Sequence, residues 1–434
     1  MATEPAAVEA RKVRGNAQNM TSEANVITTC EVCGGGELKP VLNLGSHPLC
    51  DDLVPVGDSR SNVKYPISIL YCETCRTAHQ KYQVPKRELF PQTYHYRSRF
   101  TADVLNGMKS LVERCKGAFG DLSGKGVLDI GCNDGSLLGF FRDQGAKTIG
   151  IEPTGAYVDA VAQGHPVYND YFTPELADKV VAAHGQPDFI VFTNVFAHIE
   201  DLKAVLEGLR RLMSDRTVIV IENHYLGSVL DGNQFDTFYH EHPRTYSFTS
   251  FSYIARALGL DVAVTEFPAR YGGNIRVILA PNSMGDVASL AETQAVLDRE
   301  ADFGTRFAAM NEGIAVWRER KRAELDDLVA RYGKLNAKAF PGRAAILIEL
   351  LGLDDTIVNR VHEKPGSMKI GHYVPGTRIP IVSDDVLFAE ADLSKPLLNL
   401  AWHISSEIRG FMADRGYTGP IVDILNPNDF KQGA

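Results

Sequence analysis

In this chain of 434 residues, no apolar run approaches the roughly 20 residues that span a bilayer. The first residues carry no apolar signal stretch either, so cytoplasm is the compartment expected by default, with no membrane partner. No basic block stands out and the formal net charge is −9, which argues against nucleic acid as the main partner. Internal repeats and low-complexity tracts are absent. Cysteine is scarce: seven are too few for a disulfide scaffold of this size. What remains, with 44% hydrophobic and 23% charged residues, is the composition of a soluble globular protein long enough for two or three cores.

Four of the cysteines are organised. Cys30-x-x-Cys33 and Cys72-x-x-Cys75 form two knuckles, each followed by turn or polar residues. Two thiolates from each knuckle suit one tetrahedral zinc whose shell is closed to water, a structural site for a module with little core of its own. Redox pairing is the competing reading of the motif. Cys50, Cys115 and Cys132 read as small apolar fillers.

The run Val127-Leu128-Asp129-Ile130-Gly131-Cys132-Asn133-Asp134-Gly135-Ser136 reads as strand, tight turn and helix start. Gly131 lets the backbone approach a ligand, and Gly135 opens the next helix, whose N-terminus favours negative charge. The spacing is not that of Gly-x-Gly-x-x-Gly dinucleotide binders, and no Gly-Lys-Ser/Thr phosphate loop follows. One βα unit later, Thr148–Ile151 ends at Glu152, an acid able to grip two vicinal ribose hydroxyls. A short glycine turn and a strand-end acid suit an adenosine ligand without a pyrophosphate, the pattern of S-adenosylmethionine (SAM) methyltransferases. An ordinary βαβ turn is the bland alternative. By position, Asp170 is expected to accept the adenine amino group and Phe172 to stack on the ring, whereas Asn194, Phe196 and His198 are expected near the methionine end.

Residues 1–25 read as a patternless extension, with Met20 as an alternative start, and 26–98 as the zinc-binding module. Residues 101–119 predict one amphipathic helix leading into the strand that carries Asp129. Strand and helix alternate through 189–192 and 218–221, and strands near 262–264 and 275–279 close a mostly parallel sheet spanning 99–285. Residues 286–331 predict a helical connector, and 332–434 a second, smaller α/β domain.

The densest polar cluster is Phe235-Asp236-Thr237-Phe238-Tyr239-His240-Glu241-His242. It supports two chemistries. In one, His240 and His242 ligate a metal. In the other, one histidine accepts a proton while Tyr239 or Glu241 steadies developing negative charge.

With these blocks assembled, the chain resembles the zinc-containing, SAM-dependent nucleotide-sugar C-methyltransferases of the deoxysugar C-3 type, from about Thr29 almost to its end. The likeness rests on the paired Cys-x-x-Cys, 129–135, 194–199, 235–242, Gly272-Gly273-Asn274-Ile275-Arg276, Pro375-Gly376-Thr377-Arg378-Ile379-Pro380 and Ala401-Trp402-His403. The resemblance implies an α/β protein with an N-terminal zinc-binding module, a central Rossmann-like SAM domain and a C-terminal Rossmann-like domain. It implies a nucleoside-diphosphate 4-keto-sugar substrate and a monomer or small homo-oligomer. The family's general base falls on His242, with Tyr239, Glu241 and Tyr94 (or, one alternation on, Tyr96) in support and His198 nearby. Asp129, Gly131, Asn133, Gly135, Glu152, Asp170, Asn194 and Phe196 are expected at the cofactor; Arg343, Arg378, His403 and Asn274 at the substrate.

The chemistry accounts for these residue types. A carbon next to a ketone is acidic because its carbanion spreads onto oxygen as an enolate, and neutral imidazole, of reference pKa ~6.5, can take that proton. A phenol near the carbonyl stabilises the oxyanion by ~3–4 kcal/mol. The chain also departs from the pattern. In Ala339-Phe340-Pro341-Gly342-Arg343-Ala344, Arg343 replaces the usual lysine and Ala339 a glycine, and Tyr271 stands where histidine is common. O- or N-methylation of such a sugar, which needs no carbon acid, is the second reading. A non-catalytic zinc-module binding protein on a methyltransferase scaffold is the third.

Overall fold

In a computed structural model, residues 24–94, 96–281, 290–390 and 392–430 are described. The N-terminal extension apart from Ala24 and Asn25, His95 and the first residues of the connector (286–289) lie outside them.

The two knuckles border an antiparallel sheet of β1 (Lys39–Pro48), β2 (Lys64–Cys72) and β3 (Thr77–Gln80). This sheet does not close on its own segment. Its fourth strand, the short pair Arg244–Thr245, comes from far along the chain and pairs with β3 through Arg244↔His79 and Thr245↔Ala78.

The central sheet takes β4 (Gly126–Ile130), β5 (Lys147–Ile151), β6 (Val167–Tyr168), β7 (Phe189–Thr193), β8 (Val218–His224), β9 (Asp261–Glu266) and β10 (Asn274–Ala280). Their order is β9-β10-β8-β7-β4-β5-β6, with β10 antiparallel to both neighbours and the rest parallel. Val127, Leu128, Ile190, Val191, Ile219 and Val220 are all fully buried. Such unbroken apolar runs are what a parallel sheet covered on both faces requires. One cover is α1 (Ala102–Phe119), which buries Val104, Met108, Leu111, Val112 and Cys115, a helical stripe, and ends at Gly120 with φ 81°. The predicted 101–119 helix is therefore observed within one residue. Strand order reverses at β4, flanked by β5 on one side and β7 on the other. In open α/β sheets the crevice beyond the strand ends at such a switch point is where ligands bind.

The connector consists of α2 (Leu290–Glu300) and the long α3 (Phe303–Tyr332), whose Phe303, Phe307, Met310, Ile314 and Trp317 form a buried seam. Beyond it, five parallel strands, β11 (Leu335–Lys338), β12 (Val358–Glu363), β13 (Ile381–Ser383), β14 (Leu397–Asn399) and β15 (Ile421–Asp423), stand in the order β13-β12-β11-β14-β15. The second α/β unit expected from the sequence is present. One hydrophobic core runs from Ile67 and Tyr71 beside the knuckles through the central sheet to Ile346 and Leu398. Among the described residues no helix is long and apolar enough to cross a membrane.

Candidate active site

A cavity of about 790 Å³ lies at the switch point and is walled by all three parts of the chain. At one end, Gly131 (φ 79°) brings backbone against the opening, where a Cβ would stand 2.5 Å from Val195 Cγ2. Asn133, also left-handed at φ 50°, donates its N–H to Glu152 at 2.9 Å. The N–H and hydroxyl of Thr154 hold the other Glu152 oxygen at 2.8 and 2.6 Å. Glu152 is thus fixed at the end of β5 before any ligand arrives. Asp129 is 3% exposed, and burial together with the Glu152 charge pushes its carboxyl up to about 8. Asn194 at φ 55° completes this end with Phe172. The segment carrying Tyr94 and Tyr96 is strapped across it: Asn133 accepts from Ser98 N at 3.0 Å and donates to Tyr96 O at 3.1 Å.

At the other end, residues 239–242 form a turn, closed by His242 N donating to Tyr239 O at 2.9 Å. The His242 ring lies 4.3 Å from Tyr239, 4.9 Å from His198 and 5.2 Å from His224, centroid to centroid. Its Nδ1 is 2.9 Å from the Thr237 carbonyl, which holds the proton there and leaves the Nε2 lone pair available. Burial, then the positive charge that His198 and His224 would carry, keeps its pKa well below the ordinary value. His198 is bound through Nδ1 to Glu241 O at 2.7 Å and is lowered by burial to about 4. Glu241 is pushed well above the usual carboxylate range by burial and by Asp51, with Lys369 opposing, which favours its protonated form. Burial first, and Glu241 second, raise Tyr94 and Tyr239 well above 10, so both remain phenols able to donate.

The turn also decides between the two chemistries read from the cluster. His240 points the opposite way and meets Tyr65 O at 3.0 Å, outside the cavity. The paired-histidine metal reading therefore fails. Among the described residues the one group of three or more close potential ligands is Cys30, Cys33, Cys72 and Cys75. Their sulfurs approach at 3.4 Å (Cys30–Cys75) and 3.6 Å (Cys33–Cys72), near the ~3.8 Å edge of a zinc–thiolate tetrahedron with ~2.3 Å bonds. All four sulfurs converge on one point from both knuckles, the arrangement one tetrahedral zinc requires and two separate redox pairs do not.

Five expected site residues lie elsewhere. Asp170 is exposed and caps its own turn through Tyr171 N at 2.8 Å. Phe196 is buried against Phe192, Tyr246 and Phe251 as core. Gly135 caps the helix Ser136–Arg142 at φ 80°, behind the cavity wall. Asn274 works from behind the cavity, donating to Glu222 at 3.0 Å and Asn194 at 3.3 Å. Arg378 pins the 58–60 loop through three backbone carbonyls at 2.7–3.0 Å. His403 and Arg343 do line the cavity, but Arg343 is committed to Asp236 at 2.6 and 2.8 Å.

Among the lining residues that escaped sequence reasoning are His224, Lys369 and Asp51. His224 ends β8 next to the switch point, so the strand-end rule that located Glu152 would have found it. Lys369, whose Nζ reaches Phe340 O at 2.7 Å, and Asp51 sit in loops with no motif.

Comparison with known proteins agrees with this architecture. Residues 30–90 match a family described as "Putative zinc binding domain", 98–264 a methyltransferase domain, and 269–419 a C-methyltransferase C-terminal domain. The C-methyltransferase NovU of Streptomyces niveus is 28% identical over 388 residues, covering 88% of this chain and 91% of the relative. This chain is a SAM-dependent methyltransferase. Among solved structures, the magnesium protoporphyrin IX methyltransferase of Synechocystis PCC 6803 with bound SAH aligns at 18% identity, TM-score 0.32, over 42% of this chain and 84% of that chain. A SAM-dependent methyltransferase from Archaeoglobus fulgidus aligns at 16% identity, TM-score 0.33, over 40% and 93%. The cofactors of this methyltransferase are SAM and zinc.

Proposed function

We propose that this methyltransferase is a C-methyltransferase that methylates a nucleoside-diphosphate-linked 4-keto-deoxysugar at the carbon beside the ketone. In this reading residues 26–98 hold zinc, 99–285 bind SAM, 286–331 connect, and 332–434 contribute to the nucleotide-sugar site. The observation that carries it is His242: a buried, neutral imidazole whose Nδ1 is tied to Thr237 O, facing the same cavity as Gly131 and Glu152.

His242 Nε2 takes the proton from the carbon, leaving an enolate whose oxygen is met by the neutral phenols of Tyr239 and Tyr94. When bound, SAM supplies an electrophilic methyl group. Glu152 orients the ribose of the cofactor, and Tyr96 and Ser98, tied to Asn133, cover that end of the cavity and keep water out. Protonated Glu241 adds no negative charge to oppose the enolate. Because Asp236 already neutralises Arg343, Lys369 is the cation assigned to the substrate's diphosphate, with His403 beside it.

The test is a panel of nucleotide-linked ketosugars incubated with enzyme and SAM. Products are analysed by mass spectrometry and by carbon NMR of the added methyl. A methyl on ring carbon supports the reading; a methyl on oxygen or nitrogen refutes it.

A further inference from the structure

The zinc knuckle and the acid–base site are joined by a series of buried polar and charged contacts. Cys30 Sγ lies 3.3 Å from His79 Nε2, the contact a metal-bound thiolate makes with an outer-shell donor. The other nitrogen of His79 is 3.6 Å from Glu31 Oε2, which in turn takes the Arg244 guanidinium at 2.6 Å. Gln83 Nε2 adds a further donor to Glu31 at 2.8 Å. Arg244 is fully buried, and its remaining N–H groups end on the backbone carbonyls of Ile199 and Glu200 and on the Tyr246 hydroxyl, the last at 3.0 Å. Ile199 and Glu200 line the cavity directly after His198. A second tie runs alongside: Gln80 donates to Phe238 O at 3.2 Å and Tyr239 O at 3.3 Å. The pairing Arg244↔His79 makes this geometry part of the knuckle's own sheet.

A zinc site whose only task was to hold a small module would not need a buried guanidinium from the central domain reaching in to its acid. Two carbonyls of an active-site loop accept from that guanidinium, and its charge is balanced by an acid next to a zinc cysteine. We infer that Glu31 is a positioning residue: bridging His79 to Arg244, it fixes the Ile199–Glu200 backbone and so the His198 ring against His242, making the zinc knuckle the reference frame of the acid–base site. This deepens the proposed function and rests on its reading of His198 and His242.

The test compares zinc-loaded wild type with Glu31→Gln and Glu31→Asp. Zinc content, SAM affinity by calorimetry, hydrogen exchange of peptides covering 195–201, and methylation kinetics are measured for each. The inference predicts one zinc per chain and SAM affinity within twofold of wild type in all three. Exchange in 195–201 should accelerate at least tenfold in Glu31→Gln and by an intermediate factor in Glu31→Asp, which keeps the charge. The kcat should fall at least tenfold in Glu31→Gln with KM unchanged. Unchanged exchange in 195–201 would overturn the inference, as would loss of zinc or of SAM affinity in step with activity, since Glu31 would then be a support of the fold. The exchange readout needs no substrate, so it separates failure of this inference from failure of the ketosugar reading.

Discussion

The carboxylate of Asp236 grips the guanidinium of Arg343 at two points, 2.6 and 2.8 Å, and also takes the Trp402 indole N–H at 2.8 Å. Asp236 belongs to the segment that ends in His242, whereas Arg343 and Trp402 belong to the C-terminal sheet unit, so this pair seats one on the other. Removing one member of a buried ion pair typically costs ~3–5 kcal/mol. Arg343→Met should therefore lose stability of that order in denaturant unfolding, and Asp236→Asn combined with it should cost less than the sum of the two. A variant that raised KM for substrate at undiminished stability would assign Arg343 to the diphosphate instead.

Asp129 leads to a prediction about cofactor binding. Burial and Glu152 hold its pKa near 8, so it is mostly protonated at neutral pH. A cationic ligand beside it favours the carboxylate. SAM binding at pH 7 should release close to one proton, seen by calorimetry as a dependence of the apparent enthalpy on the buffer's ionisation enthalpy. Asp129→Asn should abolish that dependence.

Ala339 adopts φ 60°, the left-handed region where a side chain costs roughly 1–2 kcal/mol and glycine costs little. After allowing for the extra freedom glycine has when unfolded, Ala339→Gly should raise stability by about 1 kcal/mol. Equilibrium unfolding would show this as a midpoint moved to higher denaturant.

The cavity histidines set a pH dependence. Burial lowers His198 to about 4 and His224 to about 3, with His242 also well below its ordinary value. In the unfolded chain each titrates near 6.5, so between about pH 6.5 and 4 the unfolded state binds more protons than the folded one. Stability should fall as pH drops through that window, by up to ~1.4 kcal/mol per pH unit for each histidine. Asp129 acts in the opposite direction, its raised pKa costing stability as pH rises from about 4 to 8. Replacing His224 with glutamine should flatten the acid slope in a series of unfolding curves.

What could be read from the sequence was local. Gly131, Glu152 and the knuckle cysteines carry their chemistry in spacings of a few residues, and the turn 239–242 carries acid, phenol and imidazole together. The missed residues are placed by tertiary contacts. Phe196 looked like a cavity wall because it precedes His198, yet the short helix Phe196–His198 turns one into the core and the other into the cavity. Asp170 was placed by analogy of position, but a carboxylate one residue from a free donor N–H accepts from it and caps its own turn first. Arg244 had no motif at all. Only the pairing of its strand with a knuckle strand brings it to Glu31, and such long-range pairing leaves no periodic signature.

The most direct measurement of the central claim is deuterium wash-in at the carbon beside the ketone, followed in heavy water without SAM turnover, for wild type and His242→Asn. Wild type should exchange that hydrogen. The variant should bind SAM as tightly while exchange falls by at least a hundredfold. Equal exchange in the two proteins would mean that another group takes the proton, and the role given to His242 would be wrong.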